Sequence, residues 1–329
     1  MAGNEALAFH RGLAGYGATP LRPLPDFAAE FGVGEVWLKD ESDRLGLPAF
    51  KILGASWAIE RALRSRRDVH TLVAASAGNH GRAVAHVAAR RGLACRVFLP
   101  ARASSVRRAA IASEGAEIVV VDGDYEAAVA LARAEGQAAG VLEIADVGAS
   151  GPAAWVIDGY ATLFSEIAAL EPFDVLLVPV GVGSLAAAAA RFGAAAGVRI
   201  VGVEAEHAAC LTASLAAGRP VAVQAPGTVM AGLDCAEVSE AAWPSLVAGL
   251  TGTVVISDAE ARAARDDLAA SGLRIGECGA APLAALRALT GDPACAALRS
   301  ELDLGAASRV VLIATEGRTG DLPALEAAP

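Results

Sequence analysis

Lys51 lies in a sequence context in which its primary amine could act as a reactive group. Only two of the 27 lysine and arginine residues are lysines, Lys39 and Lys51. Lys51 precedes a stretch with helical spacing of apolar residues, ILGASWAIERAL, which predicts that it lies on the first turn of a helix. We expect desolvation and the helix N-terminus to lower its pKa, so that the amine can condense with an aldehyde and later carry a proton. The alternative is an ordinary solvated lysine.

A second segment, SAGNHGRA, follows an apolar strand and opens a helix. Its small residues let backbone N–H groups converge on an anion such as a substrate carboxylate, while an asparagine amide can reach a ring hydroxyl. The alternative is an ordinary helix N-cap made by Ser76 or Asn79. The candidate residues are Ser76, Ala77, Gly78 and His80 for a substrate and Asn79 for a cofactor.

A third segment, PVGVGSLA, also connects a strand to a helix. Glycine permits positive φ and a close approach of the backbone, and the helix N-terminus adds partial positive charge for a phosphate. The segment lacks the third glycine of a dinucleotide fingerprint, because Ala186 stands at that position. The candidate phosphate-binding residues are Gly181, Val182, Gly183 and Ser184, and an ordinary tight turn is the alternative.

Thr315 directly follows the last predicted strand, VVLIA. A hydroxyl there could hydrogen-bond a pyridine nitrogen without protonating it, whereas a carboxylate would keep the ring cationic. A neutral ring is a weaker electron sink, which suits elimination and disfavours transamination. The alternative is a threonine that simply ends a strand. An amine, an amide, a nest of N–H groups and this hydroxyl together predict a site for pyridoxal 5'-phosphate.

The composition excludes several other classes of protein. The 329 residues are 54% hydrophobic and 19% charged, with a net charge of −10, no basic run and few aromatic residues, which argues against nucleic acid and anionic membranes as partners. The five cysteines are scattered, so neither a disulfide framework nor a zinc site is expected. No secretory signal or membrane span is recognisable, and we expect a cytoplasmic protein.

Strands alternate with alanine-rich helices, which predicts βαβ units and mainly parallel sheets covered on both faces. Nine candidate strands are too many for one open sheet, so we expect two open twisted sheets. We predict a small domain at 61–148 and a large cofactor-binding domain at 1–60 and 149–329, with the active site between them. The candidate strands are Glu35–Lys39, His70–Ala75, Cys95–Leu99, Glu117–Val121, Val141–Ile144, Val175–Pro179, Ile200–Glu204, Thr253–Ile256 and Val310–Ala314.

Longer stretches of the chain resemble the fold-type II pyridoxal-phosphate family, whose fold is similar to the tryptophan synthase β chain. Within this family the resemblance is closest to the diaminopropionate ammonia-lyases. It rests on KDESDRLGLPAFKILG at Lys39–Gly54, GNHGRA at Gly78–Ala83, VMAGLDC at Val229–Cys235, ECGA at Glu277–Ala280 and ATEGRTG at Ala314–Gly320. Threonine dehydratases carry a different lysine segment.

The resemblance implies roles for individual residues. Lys51 would hold the cofactor covalently and remove an L-Cα proton, Asn79 would bond the ring oxygen, and Thr315 would face the ring nitrogen. Gly181 to Ser184 would bind the phosphate. Asp146 stands where the lyases have an acid near the leaving amine. This chain departs from the family pattern in two places, because Ala77 stands at the place of an aspartate and Arg318 at the place of an acid.

These observations predict α,β-elimination from an L-amino acid with a β leaving group, as in diaminopropionate, giving a 2-oxo acid and ammonia via aminoacrylate. One alternative is β-replacement by a second nucleophile. Another is elimination of an anionic β-substituent attracted by Arg318, which we consider a candidate for substrate binding. The last is a non-catalytic paralogue on the same scaffold. We expect a homodimer, both from the resemblance and from the frequency of dimers among soluble enzymes.

Overall fold

Two β-sheets organise the chain in the computed structural model, which describes residues 2–169 and 172–318. The strands are β1 (Leu21–Pro23), β2 (Glu35–Asp40), β3 (Thr71–Ala75), β4 (Ala94–Pro100), β5 (Glu117–Val121), β6 (Val141–Glu143), β7 (Val175–Pro179), β8 (Arg199–Ala205), β9 (Gly252–Ile256) and β10 (Arg309–Ala314).

The α-helices cover the faces of both sheets. They are α1 (Ala2–Arg11), α2 (Pro25–Phe31), α3 (Lys51–Ser65), α4 (Asn79–Arg91), α5 (Ser105–Ala112), α6 (Tyr125–Glu135), α7 (Pro152–Ile167), α8 (Ser184–Ala196), α9 (Cys210–Ala217), α10 (Trp243–Gly249), α11 (Asp258–Ala270), α12 (Glu277–Gly291) and α13 (Ala296–Glu301). Within the described ranges, no helix is both long and apolar enough to cross a bilayer.

The sheet topology confirms two mainly parallel sheets. Six strands run in the order β1-β2-β10-β7-β8-β9, and four in the order β5-β4-β3-β6. All pairs are parallel except β1 with β2. The sequence pattern missed β1, because a three-residue edge strand containing Pro23 has no apolar periodicity. The four-stranded sheet lies within the predicted small domain, whose first boundary falls inside α3; the division into domains stays a prediction.

The larger sheet is buried on both faces, as the apolar run in β7 predicts. Leu177 and Leu312 pack into a core with α11 and α12, whereas the alternate residues Leu176 and Val311 pack into a second core with α7 and α8. A third core joins α3 and α4 to the smaller sheet. Helix α3 therefore contacts both sheets, which places its first turn at their junction.

Helices α3 and α7 pack closely where they cross at Gly54 and Gly159. A Cβ at Gly159 would lie 2.6 Å from the carbonyl oxygen of Leu53, and a Cβ at Gly54 would lie 2.6 Å from the ring of Tyr160. Such distances are shorter than van der Waals contact, so both positions require glycine. The crossing fixes the first turn of α3, and hence Lys51, against α7.

A buried ionic cluster anchors the segment that leads to Lys51. Its members are Lys39, Glu41, Arg44 and Glu166, each at most 4% exposed. Glu166 accepts hydrogen bonds from Lys39 Nζ at 2.6 Å and from Arg44 Nη1 at 2.7 Å, and Arg44 also binds Glu41 at 2.6 Å. Burial alone would raise the pKa of Glu166, but its bonds to Arg44 and Lys39 lower it to about 2. Two cations and two anions thus neutralise one another.

His10 gives the fold an expected dependence on pH. The ring is fully buried, accepts from Thr162 Oγ1 at 2.7 Å and donates to the Leu53 carbonyl at 3.0 Å, which suits the neutral form. Burial lowers its pKa from 6.5 to about 4. Between these values the unfolded chain binds a proton that the native protein does not, so stability decreases as pH falls, by about 3 kcal/mol from this group.

Urea unfolding at pH 7, 5.5 and 4 measures this effect. His10→Gln removes the titrating ring, so we expect its stability to depend less on pH over the same interval. An equally steep loss in His10→Gln would show that other groups cause it.

Candidate active site

Lys51 is the first residue of α3, as the sequence predicts. The preceding residue, Phe50, donates its backbone N–H to the carbonyl oxygen of Thr315 at 3.2 Å. Because Thr315 directly follows β10, this bond ties the start of α3 to the end of a central strand of the larger sheet. Lys51 and Thr315 are thus brought together from opposite ends of the chain.

The amine of Lys51 pairs with Asp146. Nζ lies 3.0 Å from Asp146 Oδ2, and the two side chains are 20% and 14% exposed. Burial alone would lower the pKa of Lys51, but the Asp146 carboxylate at hydrogen-bond distance raises it above its ordinary value. The expectation of a lowered pKa is therefore wrong for this arrangement, because the helix N-terminus is outweighed by a carboxylate at hydrogen-bond distance. In this arrangement Lys51 and Asp146 therefore form an ion pair.

Asp146 lies among groups that favour its charged form. Its Oδ2 is 3.9 Å from His80 Nδ1, and His80 Nε2 donates to the Ile144 carbonyl at 2.8 Å. Burial alone would raise the pKa of Asp146, but His80 and Lys51 hold it well below its usual range. A carboxylate that stays ionised in a partly enclosed site can bind a cation.

The loop at 76–80 connects β3 to α4. Ser76 Oγ accepts the N–H of Gly78 at 3.2 Å, and Asn79 begins the helix. The amide of Asn79 donates to Glu316 Oε2 at 2.6 Å. Since Asn79 has a second amide hydrogen, it can donate to a ring hydroxyl as well. The bond to Glu316 determines which way the amide points.

Glu316 is a site residue that the sequence reasoning missed. It follows Thr315, and burial raises its pKa above the ordinary value. Its position in the segment ATEGRTG was the one signal in the sequence that could have indicated it. Nothing in the sequence indicates that this glutamate bonds Asn79. Only the fold shows that a strand end and a helix start 237 residues apart meet here.

The glycine segment Gly181–Ser184 leads from β7 into α8. Gly183 has a φ of 90° and precedes the helix. A Cβ at Gly181 would lie 2.6 Å from the Gly232 carbonyl oxygen, and one at Gly183 would lie 2.8 Å from a methyl group of Leu246. Side chains are therefore excluded from this turn, which leaves the first N–H groups of α8 available to an anion.

Three hydrogen bonds connect the candidate segments into one site. Ser184 Oγ donates to the Asp146 carbonyl at 3.2 Å, which links the glycine segment to the partner of Lys51. The Phe50–Thr315 and Asn79–Glu316 bonds link the lysine and asparagine segments to the end of β10. An amine, an amide, a turn without side chains and a threonine thus surround one cleft, and this donor set fits pyridoxal phosphate.

Two departures from the family pattern lie at this cleft or near it. Ala77 is partly buried in the asparagine loop and supplies no carboxylate, while Arg318 is exposed, two residues beyond Glu316. The role of Arg318 in substrate binding stays a prediction, as do the roles of Ser76, Ala77, Gly78 and His80.

Comparison with known proteins agrees with this geometry. The family model of pyridoxal-phosphate dependent enzymes matches residues 13–316. Diaminopropionate ammonia-lyase of Salmonella typhimurium is 32% identical over 96% of this chain and 89% of its own length. The corresponding protein of Escherichia coli strain K12 is 32% identical over 95% of this chain and 88% of its own length.

A solved structure gives the same result. The E. coli diaminopropionate ammonia lyase in complex with an aminoacrylate-PLP azomethine reaction intermediate superposes with a TM-score of 0.89 at 30% identity, covering 97% of this chain and 89% of the other. The predicted fold class and cofactor are thereby confirmed. The chain belongs to the pyridoxal-phosphate dependent enzyme family, together with the diaminopropionate ammonia-lyases.

Proposed function

We propose that the protein is an ammonia-lyase that converts L-2,3-diaminopropionate and water into pyruvate and two molecules of ammonia. The observation that carries the proposal is the pairing of Lys51 with Asp146 in the cleft, which places the amino group and an ionised carboxylate 3.0 Å apart. The relatives named diaminopropionate ammonia-lyase support the choice of substrate.

Each candidate residue has a role in this proposal. When bound, pyridoxal phosphate supplies an aldehyde for covalent attachment and a ring that accepts electrons from the substrate Cα. Lys51 would hold the cofactor and take the Cα proton of the substrate, while Asn79 would donate to the ring hydroxyl and the Thr315 hydroxyl would bond the ring nitrogen. The N–H groups of Gly181–Ser184 would bind the phosphate, and those of the loop at 76–80 would bind the substrate carboxylate.

Asp146 favours a cationic leaving group. A β-ammonium group beside this carboxylate is attracted by it, and at an effective dielectric constant of 20 two unit charges 4 Å apart interact by about 4 kcal/mol. The same carboxylate repels a phosphate or another anionic β-substituent. Glu316 also lies in the cleft, whereas Arg318 is exposed. This charge distribution supports an ammonium leaving group over an anionic one.

The absence of an acid at Ala77 supports a preference for the L-isomer. Lys51 approaches the Cα from one face, and a D-substrate presents its proton on the opposite face. In the ammonia-lyases that this chain resembles, the resemblance implies that an aspartate at this place serves catalysis with the D-substrate, whereas alanine cannot remove a proton. We therefore propose that D-diaminopropionate is a poor substrate.

A substrate panel tests the proposal. Enzyme loaded with cofactor is mixed with L- and D-diaminopropionate, L-serine, O-phospho-L-serine and L-threonine, with and without added thiol, and ammonia and 2-oxo acid are measured. We expect the L-diaminopropionate kcat/KM to exceed the others by at least tenfold, a difference of about 1.4 kcal/mol in transition-state stabilisation.

No oxo acid from any substrate would refute elimination, and a thiol adduct in its place would indicate β-replacement. A preference for phosphoserine that Arg318→Asp abolishes would indicate the anionic alternative.

The remaining assignments extend this proposal. We propose that the protein is cytoplasmic and forms a homodimer. The frequency of dimers among soluble enzymes supports the dimer, and light scattering measures the oligomeric state. We also propose domains at 61–148 and at 1–60 with 149–329, supported by the separate sheets, which limited proteolysis tests.

A further inference from the structure

Tyr160 has a hydroxyl that the fold leaves without a hydrogen bond. The residue is 0% exposed on α7, and its hydroxyl finds no partner in the described part of the chain. An unsatisfied buried polar group costs about 1–3 kcal/mol relative to its state in water. Phenylalanine at this position would avoid the cost, so the hydroxyl calls for a functional explanation.

The position of the ring directs this hydroxyl toward Lys51. Tyr160 packs against Phe50 with ring centroids 4.8 Å apart, and Lys51 Nζ lies 5.5 Å from the centroid of the same Phe50 ring. The Tyr160 ring also occupies the space that a side chain at Gly54 would need. Since Gly54 and Lys51 are three residues apart, they lie on one face of α3, and side chains on a helix lean toward its N-terminus. The phenol therefore lies along the face that carries the amine.

In the present arrangement the phenol lies close enough to the Lys51 amine to interact with it, but the amine donates to Asp146 at 3.0 Å and the geometry of the phenol is not that of a formed hydrogen bond. Burial, together with the nearby Asp146 carboxylate, raises the pKa of Tyr160 to about 12 although Lys51 opposes the shift. The phenol consequently keeps its proton throughout the working pH range. It can donate a hydrogen bond but cannot serve as a base.

Four described groups near Lys51 are less suited to donate to its amine. Asp146 only accepts, and Tyr125 already donates its hydroxyl to the Ala75 carbonyl at 3.2 Å. His80 donates to the Ile144 carbonyl, and Cys235 carries a thiol, which is a weak donor and whose pKa burial raises to about 12.

We propose that Tyr160 is a positioning residue for Lys51: its hydroxyl donates to the neutral Lys51 amine and holds the nitrogen lone pair in a fixed orientation. The inference rests on the proposed function, in which Lys51 must be a neutral amine twice, when it condenses with the cofactor and when it removes the Cα proton. A charged lysine bonds Asp146, and a neutral one can accept from Tyr160, so the protonation state selects the partner.

Tyr160→Phe tests this inference, with Tyr16→Phe as the matched control. The Tyr16 hydroxyl donates to Glu166 Oε1 at 2.8 Å, away from the cleft. Both variants therefore remove a tyrosine hydroxyl, one that is hydrogen-bonded outside the cleft and one that is unsatisfied beside Lys51. We expect Tyr160→Phe to keep or raise the melting temperature and to lower kcat about 10- to 100-fold, with KM changed less than about twofold. Tyr16→Phe should lower the melting temperature and leave kcat unchanged.

A second measurement does not depend on turnover. When cofactor is added to stripped full-length protein, recovery of visible absorbance should be about tenfold slower in Tyr160→Phe, because its Lys51 amine is less often oriented for condensation. Unchanged kcat and unchanged recovery would refute the inference, and so would a large fall in melting temperature with a parallel loss of activity. If wild-type protein eliminates nothing, the proposed function fails, whereas the recovery rate still tests Tyr160.

Discussion

Lys51→Ala is expected to lower kcat for elimination by at least ~10³-fold and to abolish covalent attachment of the cofactor, because the variant lacks both the amine that condenses and the base that removes the Cα proton. The other lysine cannot replace it. Lys39 is 2% exposed, and its ammonium group donates to the Thr19 carbonyl at 2.8 Å and to Glu166 at 2.6 Å. Borohydride reduction followed by peptide mapping should therefore label position 51 alone in the wild-type protein.

Lys51→Arg is the control for charge. A guanidinium group can still pair with Asp146 but does not condense with an aldehyde, because it stays protonated. We expect this variant to fold normally and to remain inactive, which would separate the loss of chemistry from the loss of the ion pair. Activity retained in either variant, or a label found on Lys39, would contradict the assignment of Lys51.

Glu166→Gln is expected to lower the free energy of unfolding by about 3–5 kcal/mol, since it leaves the buried cations Lys39 and Arg44 with a single carboxylate. An amide keeps the shape of the side chain, so the change tests charge rather than packing. Urea unfolding followed by tryptophan fluorescence measures the loss. Because Arg44 belongs to the segment that leads to Lys51, we also expect the variant to bind the cofactor more weakly.

Glu30→Gln provides the comparison for an exposed ion pair. Glu30 and Arg287 are 2.8 Å apart with side chains 42% and 37% exposed, so their pairing should contribute at most about 1 kcal/mol. An equal loss of stability in Glu30→Gln and Glu166→Gln would contradict the importance of burial in the cluster.

The sequence predicts the fold and the chemistry of the cofactor better than the environment of the site. Strand β7 and the glycine turn after it are encoded locally, by an apolar run and by residues that tolerate positive φ, and both are found where predicted. The position of Lys51 on a first helical turn is likewise a local property. Such features depend on neighbours in the chain, which a sequence displays directly.

The parts that could not be predicted depend on distant segments. The partner of Lys51 lies 95 residues away and that of Asn79 lies 237 residues away. Asp146 was a candidate only through a family resemblance, and Glu316 and Tyr160 were not candidates at all. The direction of the Lys51 pKa shift could not be predicted for the same reason. Burial and a helix terminus can be inferred from the local sequence, but the carboxylate that faces the amine cannot.

The glycine crossing of α3 and α7 has a consequence for how this enzyme can diversify. The two helices pack too closely at these glycines to slide past each other without a clash, so they move as one unit and hold the first turn of α3, which carries the reactive lysine, in place. Variation that alters selectivity must therefore arise in the loops that face this amine, such as the one at 76–80. Directed evolution toward new amino acids should accumulate changes there while Gly54 and Gly159 stay invariant.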